Sequence, residues 1–144
     1  MPLCRLFDSP LVATPVYVRT ECVKLWNVLD ALESGVYLDL WGPPGSGKST
    51  TVWSWALYQM IHKGRTVVWL SDAGLQSWVF VLTGGTLYLL DKVTDATIKA
   101  LSLFPKIDIF VWDGACEQMQ GEFVQRVYQH INSRNVFQAK IKMI

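Results

Sequence analysis

Nine consecutive residues, Gly42-Pro43-Pro44-Gly45-Ser46-Gly47-Lys48-Ser49-Thr50, carry the densest chemistry in the chain. They satisfy the pattern G-x-x-x-x-G-K-S/T, which is informative when a strand runs into it and a helix leaves it. Both flanks read that way: Val36 to Trp41 is a short, largely apolar strand, and Lys48 to His62 reads as a helix. Glycines at 42, 45 and 47 let the backbone curl with its N–H groups converging on an anion, where a side chain would collide with phosphate oxygens. The helix beginning near Lys48 adds the positive end of its dipole. In such a loop Lys48 bridges the β- and γ-phosphates, the Ser49 hydroxyl ligates magnesium and Thr50 lies close to the α-phosphate. The expected ligand is a nucleoside triphosphate with Mg2+. The bland alternative, a glycine-proline turn that binds nothing, is disfavoured because motif and flanks agree.

A loop of this kind needs an acidic residue at the end of a neighbouring strand to hold magnesium and compensate the triphosphate charge. Three aspartates end apolar runs: Asp72, Asp91 and Asp113. Asp113 is favoured, because Ile107 to Trp112 is the most continuous of the three runs; Asp72 and Asp91 stand as rivals. Aspartate after a strand is also an ordinary turn or helix-cap residue. Hydrolysis asks for a further group to position or deprotonate water. The residue after Asp113 is Gly114, so the nearest acid is Glu117, early in a predicted helix where the dipole alone would favour a carboxylate. The candidate catalytic set is thus Lys48, Asp113 and Glu117. Arg126 and Arg134 carry no finger signature, and His62 and His130 have no partner in any motif.

Around this site the chain of 144 residues is long enough for one domain with a real core. Residues 1–19 hold Pro2, Pro10 and Pro15 without helical period and read as an irregular lead-in, followed by the nucleotide-binding domain over 20–144. Cys22, Leu25, Trp26, Leu29 and Leu32 share one helical stripe, with Gly35 as a stop. Beyond the loop helix, Gly64 precedes a strand at Arg65 to Leu70. Trp78 to Leu82 and Thr86 to Leu90 flank Thr83-Gly84-Gly85, the pattern of a hairpin or two closely linked strands. A short helix over 95–103, the Asp113 strand, a helix over 117–131 and a last strand within 135–144 complete the reading. The fold class expected is α/β: a P-loop NTPase three-layer sandwich with a mostly parallel central sheet, truncated at its C-terminus.

Composition narrows the setting. Apolar residues make up 51% of the chain and charged ones only 17%, a greasy sequence with little charged surface. Seven tryptophans scattered through predicted elements read as core packing, with a partner surface as the second reading. A net charge of +1 with dispersed Lys and Arg gives no electrostatic footprint for nucleic acid. The longest apolar run, Trp78 to Leu90, is broken by Gly84-Gly85 and falls short of a membrane span. Three cysteines without metal spacing, and no signal-like amino terminus, predict an intracellular protein of cytoplasm or nucleus.

The nine-residue loop resembles that of AAA-type ATPases. A narrower resemblance rests on Val16-Tyr17-Val18-Arg19, the helix with Leu25, the loop, and a strand ending Trp112-Asp113-Gly114. Over roughly residues 16–114 these pieces look like the ATPase region of crinkler-type effectors and retrotransposon hot spot proteins. That resemblance implies ATP binding at Gly42 to Thr50, metal coordination by Asp113, and a second domain beyond the ATPase, which is not seen in this sequence. The function expected is magnesium-dependent ATP binding, with ATP hydrolysis conceivable within a homo-oligomer or larger complex. A small-molecule or nucleotide kinase would suit the same loop but wants an arginine-rich lid, which is not apparent. A degenerate, non-catalytic interaction module is the other reading.

Overall fold

The computed structural model describes residues 19–32, 36–43, 45–72, 77–90, 95–104, 106–114, 126, 129–130 and 139–143. The regular elements are α1 (Thr20–Asp30), β1 (Val36–Leu40), α2 (Lys48–Lys63), β2 (Val67–Asp72), β3 (Ser77–Thr83), β4 (Thr86–Leu90), α3 (Asp95–Leu101), β5 (Ile109–Asp113) and β6 (Ala139–Met143). Residues 1–18, Asp91 and Glu117 lie outside the described residues, as does most of the helix expected over 117–131, of which Arg126, Gln129 and His130 are helical.

All six strands form one sheet in the order β1-β6-β5-β2-β3-β4. The pairs β1–β6, β6–β5 and β5–β2 are parallel, whereas β2–β3 and β3–β4 are antiparallel. The reversal from β3 to β4 has a local cause. Gly84 and Gly85 sit at φ 59° and 77°, the two left-handed positions a tight primed hairpin turn requires and that only glycine takes without strain. Thr83 therefore pairs with Thr86 and β4 returns along β3. At the other end, the strand read in the C-terminal stretch becomes β6 and inserts between β1 and β5.

The central strands are buried on both faces, as their continuous apolar runs require. Val67 and Trp69 of β2 with Ile109 and Val111 of β5 enter one core, together with Ile141 and Met143 of β6 and Val52, Trp55, Ala56 and Met60 of α2. The alternate residues Val68, Leu70, Phe110 and Trp112 enter a second core with Val79, Val81, Leu101 and Ile107. Each such side chain contributes roughly 1.5–3 kcal/mol by leaving water. Over the first core α1 packs on α2, with Leu29 buried and Trp26 edge-on to Tyr58 at 5.6 Å between ring centroids. The fully buried Gln59 couples the pair: its amide donates to Asp30 Oδ1 (3.2 Å) and its carbonyl accepts from Arg65 Nη1 (2.6 Å). Gly64, at φ 64°, ends α2 in a left-handed cap.

These features correct the expected three-layer sandwich with a mostly parallel central sheet. The sheet is mixed and its strands are short, and the second face carries among the described residues only the seven-residue α3. The Gly84-Gly85 turn is the physical reason for one of the two antiparallel pairs, β3–β4, since a two-residue connection can join only antiparallel neighbours. The reading of the tryptophans as core packing also needs correction at one position. Trp55, Trp69 and Trp112 are buried, but Trp41 is 72% exposed. No helix among the described residues is long and apolar enough to cross a membrane.

Candidate functional site

β1 delivers the chain to Gly42 and α2 carries it away from Gly47, so the loop closes over the carboxyl end of β1. Its curvature rests on Gly45 and Gly47, at φ 78° and 83°, and on a turn in which Ser46 N donates to Pro43 O (3.3 Å). Gly47 is the N-cap of α2 and supplies no side-chain cap, and the first turn of the helix holds no acidic residue. The helix itself thus supplies no negative group at its positive end, where a helix N-terminus favours an anion. Thr51 fixes the junction from inside: its hydroxyl donates to Gly47 O at 2.9 Å, and its backbone N–H to the same oxygen at 3.0 Å.

Lys48 folds back over the loop. Its ammonium donates to Gly42 O (2.7 Å), Pro43 O (3.0 Å) and Ser46 Oγ (3.2 Å). A Cβ on Gly42 would lie 3.4 Å from both Cδ and Nζ of Lys48, so the bare Cα leaves room for this path. The ammonium is thus held against the loop's own oxygens.

Across the sheet edge, β5 ends at Asp113, and the Ser49 hydroxyl donates to Asp113 Oδ1 at 3.0 Å. The contact joins residues 64 positions apart: Ser49 stands in the first turn of α2, and β6 lies between β1, which leads into the loop, and β5. Partial burial raises the pKa of Asp113 above the ordinary aspartate value, against the hydrogen bond from Ser49 and the charge of Lys48, both of which lower it. A hydroxyl and a carboxylate side by side fit Mg2+, which binds one or two protein oxygens and takes its remaining ligands from water and phosphate. Among the described residues no three His, Cys, Asp or Glu converge as a metal cage, so an all-protein site is not what these donors form.

Of the predicted site residues, Gly42, Pro43, Gly45, Ser46, Gly47, Lys48, Ser49 and Thr50 fall in one loop and helix turn, and Asp113 joins them; Pro44 and Glu117 lie outside the described residues. The rival Asp72 ends β2, one strand beyond β5 and farther from the loop. Gly114 succeeds Asp113 at φ 86°, in a turn where a glutamate would be strained. Two neighbours escaped the sequence reading. Cys22 of α1 brings its Sγ to 4.0 Å from where a Cβ on Gly47 would stand, and nothing in its helical spacing signals that approach. Trp41 stands exposed at the mouth of the loop; an aromatic residue directly before Gly42 was the available signal. No protein-family model, curated protein or solved structure matches this chain.

Proposed function

We propose that this protein binds a nucleoside triphosphate, ATP with magnesium, at residues 42–50. The observation that carries the reading is the Ser49–Asp113 contact beside the folded Lys48 ammonium. A hydroxyl and a lysine from the first turn of α2 stand beside a carboxylate from the end of β5. In this reading the loop N–H groups and Lys48 hold the phosphates, and Ser49 and Asp113 hold the metal. Bound magnesium would neutralise charge on the β- and γ-phosphates.

The proposal is for binding. Gly114 places no carboxylate after Asp113, so water activation has no assigned base among the described residues. The likeness of residues 16–114 to the ATPase region of crinkler-type effectors and retrotransposon hot spot proteins belongs to the same proposal, as does an intracellular setting, where a free thiol such as Cys22 persists.

The test is a titration of purified protein with fluorescent ATP and GTP, with and without magnesium, while phosphate release is followed. Saturable, magnesium-dependent binding that is lost in Lys48→Ala supports the reading. Binding indifferent to Lys48 overturns it. Phosphate release would extend the function to hydrolysis, and transfer to an added acceptor alcohol would make it a kinase.

A further inference from the structure

The sheet has two edges, β1 and β4, and they are finished differently. An edge strand offers a row of unpaired backbone N–H and C=O groups, which proteins blunt with charged side chains, prolines or bulges. β1 carries the exposed Asp39. β4, Thr86-Leu87-Tyr88-Leu89-Leu90, has no charge and no proline, and it pairs with β3 residue for residue without a bulge. Because the turn has two residues, Thr83 and Thr86 form a hydrogen-bonded pair, and alternation along the ladder gives Tyr88 and Leu90 the same role. The backbone N–H and C=O groups of Leu87 and Leu89 therefore point away from β3, which is the one strand beside β4 among the described residues. Side chains alternate as well. Leu87 and Leu89 pack on the first core and Leu90 on the second, while Tyr88, 44% exposed, leans on Phe104 at 5.6 Å between ring centroids.

We propose that β4 pairs antiparallel with β4 of a second copy of this chain, about a two-fold axis at Tyr88. The pattern of outward groups is complementary to itself, as a two-fold contact requires. With Tyr88 opposite Tyr88 of the second copy, Leu87 stands opposite Leu89, and the N–H and C=O of each meet the C=O and N–H of the other. Every outward group of both strands is then satisfied. A shift by one residue would set Leu87 against Tyr88, whose backbone groups β3 already uses. No like charges are opposed, because the strand carries none. The leucines continue one apolar face of the sheet across the junction, and the two tyrosines meet in a non-hydrogen-bonded pair, where facing side chains come closest. β1 and the glycine-rich loop stay at the far edge of each copy, so the pairing does not depend on the triphosphate reading. Five residues from each copy make a small contact, and such a dimer depends on concentration.

Analytical ultracentrifugation of the purified chain over a range of concentrations tests the pairing, on the wild type, Tyr88→Lys, Tyr88→Glu and an equimolar mixture of the two variants. The wild type should pass from the mass of one chain to that of two as concentration rises. Either variant alone sets like charges face to face and should weaken the dimer at least about 10-fold, whereas the mixture should recover it, since lysine then faces glutamate. Recovery separates pairing at Tyr88 from a loss of fold. Hydrogen exchange gives a second readout: the amides of Leu87 and Leu89 should become protected as the dimer forms. A wild type that remains a single chain at every concentration overturns the proposal, and protection of those amides in that single chain would mean that the chain covers its own edge. A dimer indifferent to both charges, or one that the mixture does not restore, places the contact elsewhere and overturns it too.

Discussion

The parallel and antiparallel halves of the sheet share the same two cores, yet the candidate site residues lie at the strand ends of only one half. In β1, β6 and β5 the carboxyl ends point the same way, so the residues at those ends gather along one edge: the glycine-rich loop beyond β1 and Asp113 closing β5. This is the crevice where open parallel sheets hold ligands. In β3 and β4 successive ends alternate, and the connection is a two-glycine turn with nothing to gather. Direction, more than composition, decides where a site can form; the hairpin widens the core that holds the parallel strands in place.

This contrast is open to attack from both sides. The largest effect is expected in the hairpin half: Leu82→Ala, at a fully buried β3 position, should cost about 2–5 kcal/mol in urea unfolding while leaving the nucleotide affinity of the folded protein unchanged. A matched loss of affinity would mean that the halves are not separable. Next, Lys48→Ala should weaken ATP by roughly 10- to 100-fold, the scale of hydrogen bonds to charged groups, with little change in the unfolding midpoint. A sharper pair uses two glycines of similar backbone geometry, Gly84 and Gly47, at φ 59° and 83°. Alanine at either should cost about 1–2 kcal/mol of stability, but only Gly47→Ala should also reduce ATP binding in a direct titration.

The smallest effect concerns Asp113. Because its pKa is raised, the folded state holds this proton more tightly than the unfolded chain does. That contribution is fully present below the ordinary aspartate value and is lost as pH rises through the raised one. In metal-free protein at neutral pH, Asp113→Asn should therefore slightly raise the urea midpoint and flatten its pH dependence, while abolishing the magnesium dependence of ATP binding. A midpoint that falls at pH 7 would show the carboxylate to be a structural partner of Ser49 instead.

How much of this was legible in the sequence differs by level. The loop and its flanks were readable because glycine and lysine spacing reports local backbone requirements, and the Gly84-Gly85 turn was readable for the same reason. Asp113 could be preferred over Asp72 and Asp91, but its contact with Ser49 depends on how β1, which leads into the loop, and β5 are ordered in the sheet, and lateral order leaves no trace in periodicity. The layer arrangement was misjudged for that reason: strand propensity does not say which neighbour a strand takes. Trp41 was absorbed into a general expectation about tryptophan, although its place at the end of an edge strand makes it unlike Trp69 or Trp112, whose strands have neighbours on both sides.

The insertion of β6 between β1 and β5 also has a consequence in time. During synthesis the glycine-rich loop and Asp113 both leave the ribosome before residues 139–143 do, at the ends of strands that do not touch one another. A nascent chain can therefore display every residue of the site and still have no site, until β6 threads into the gap between them. Such long-range pairing is a slow step in folding, and nucleotide capture would then act as a report that the sheet has closed up.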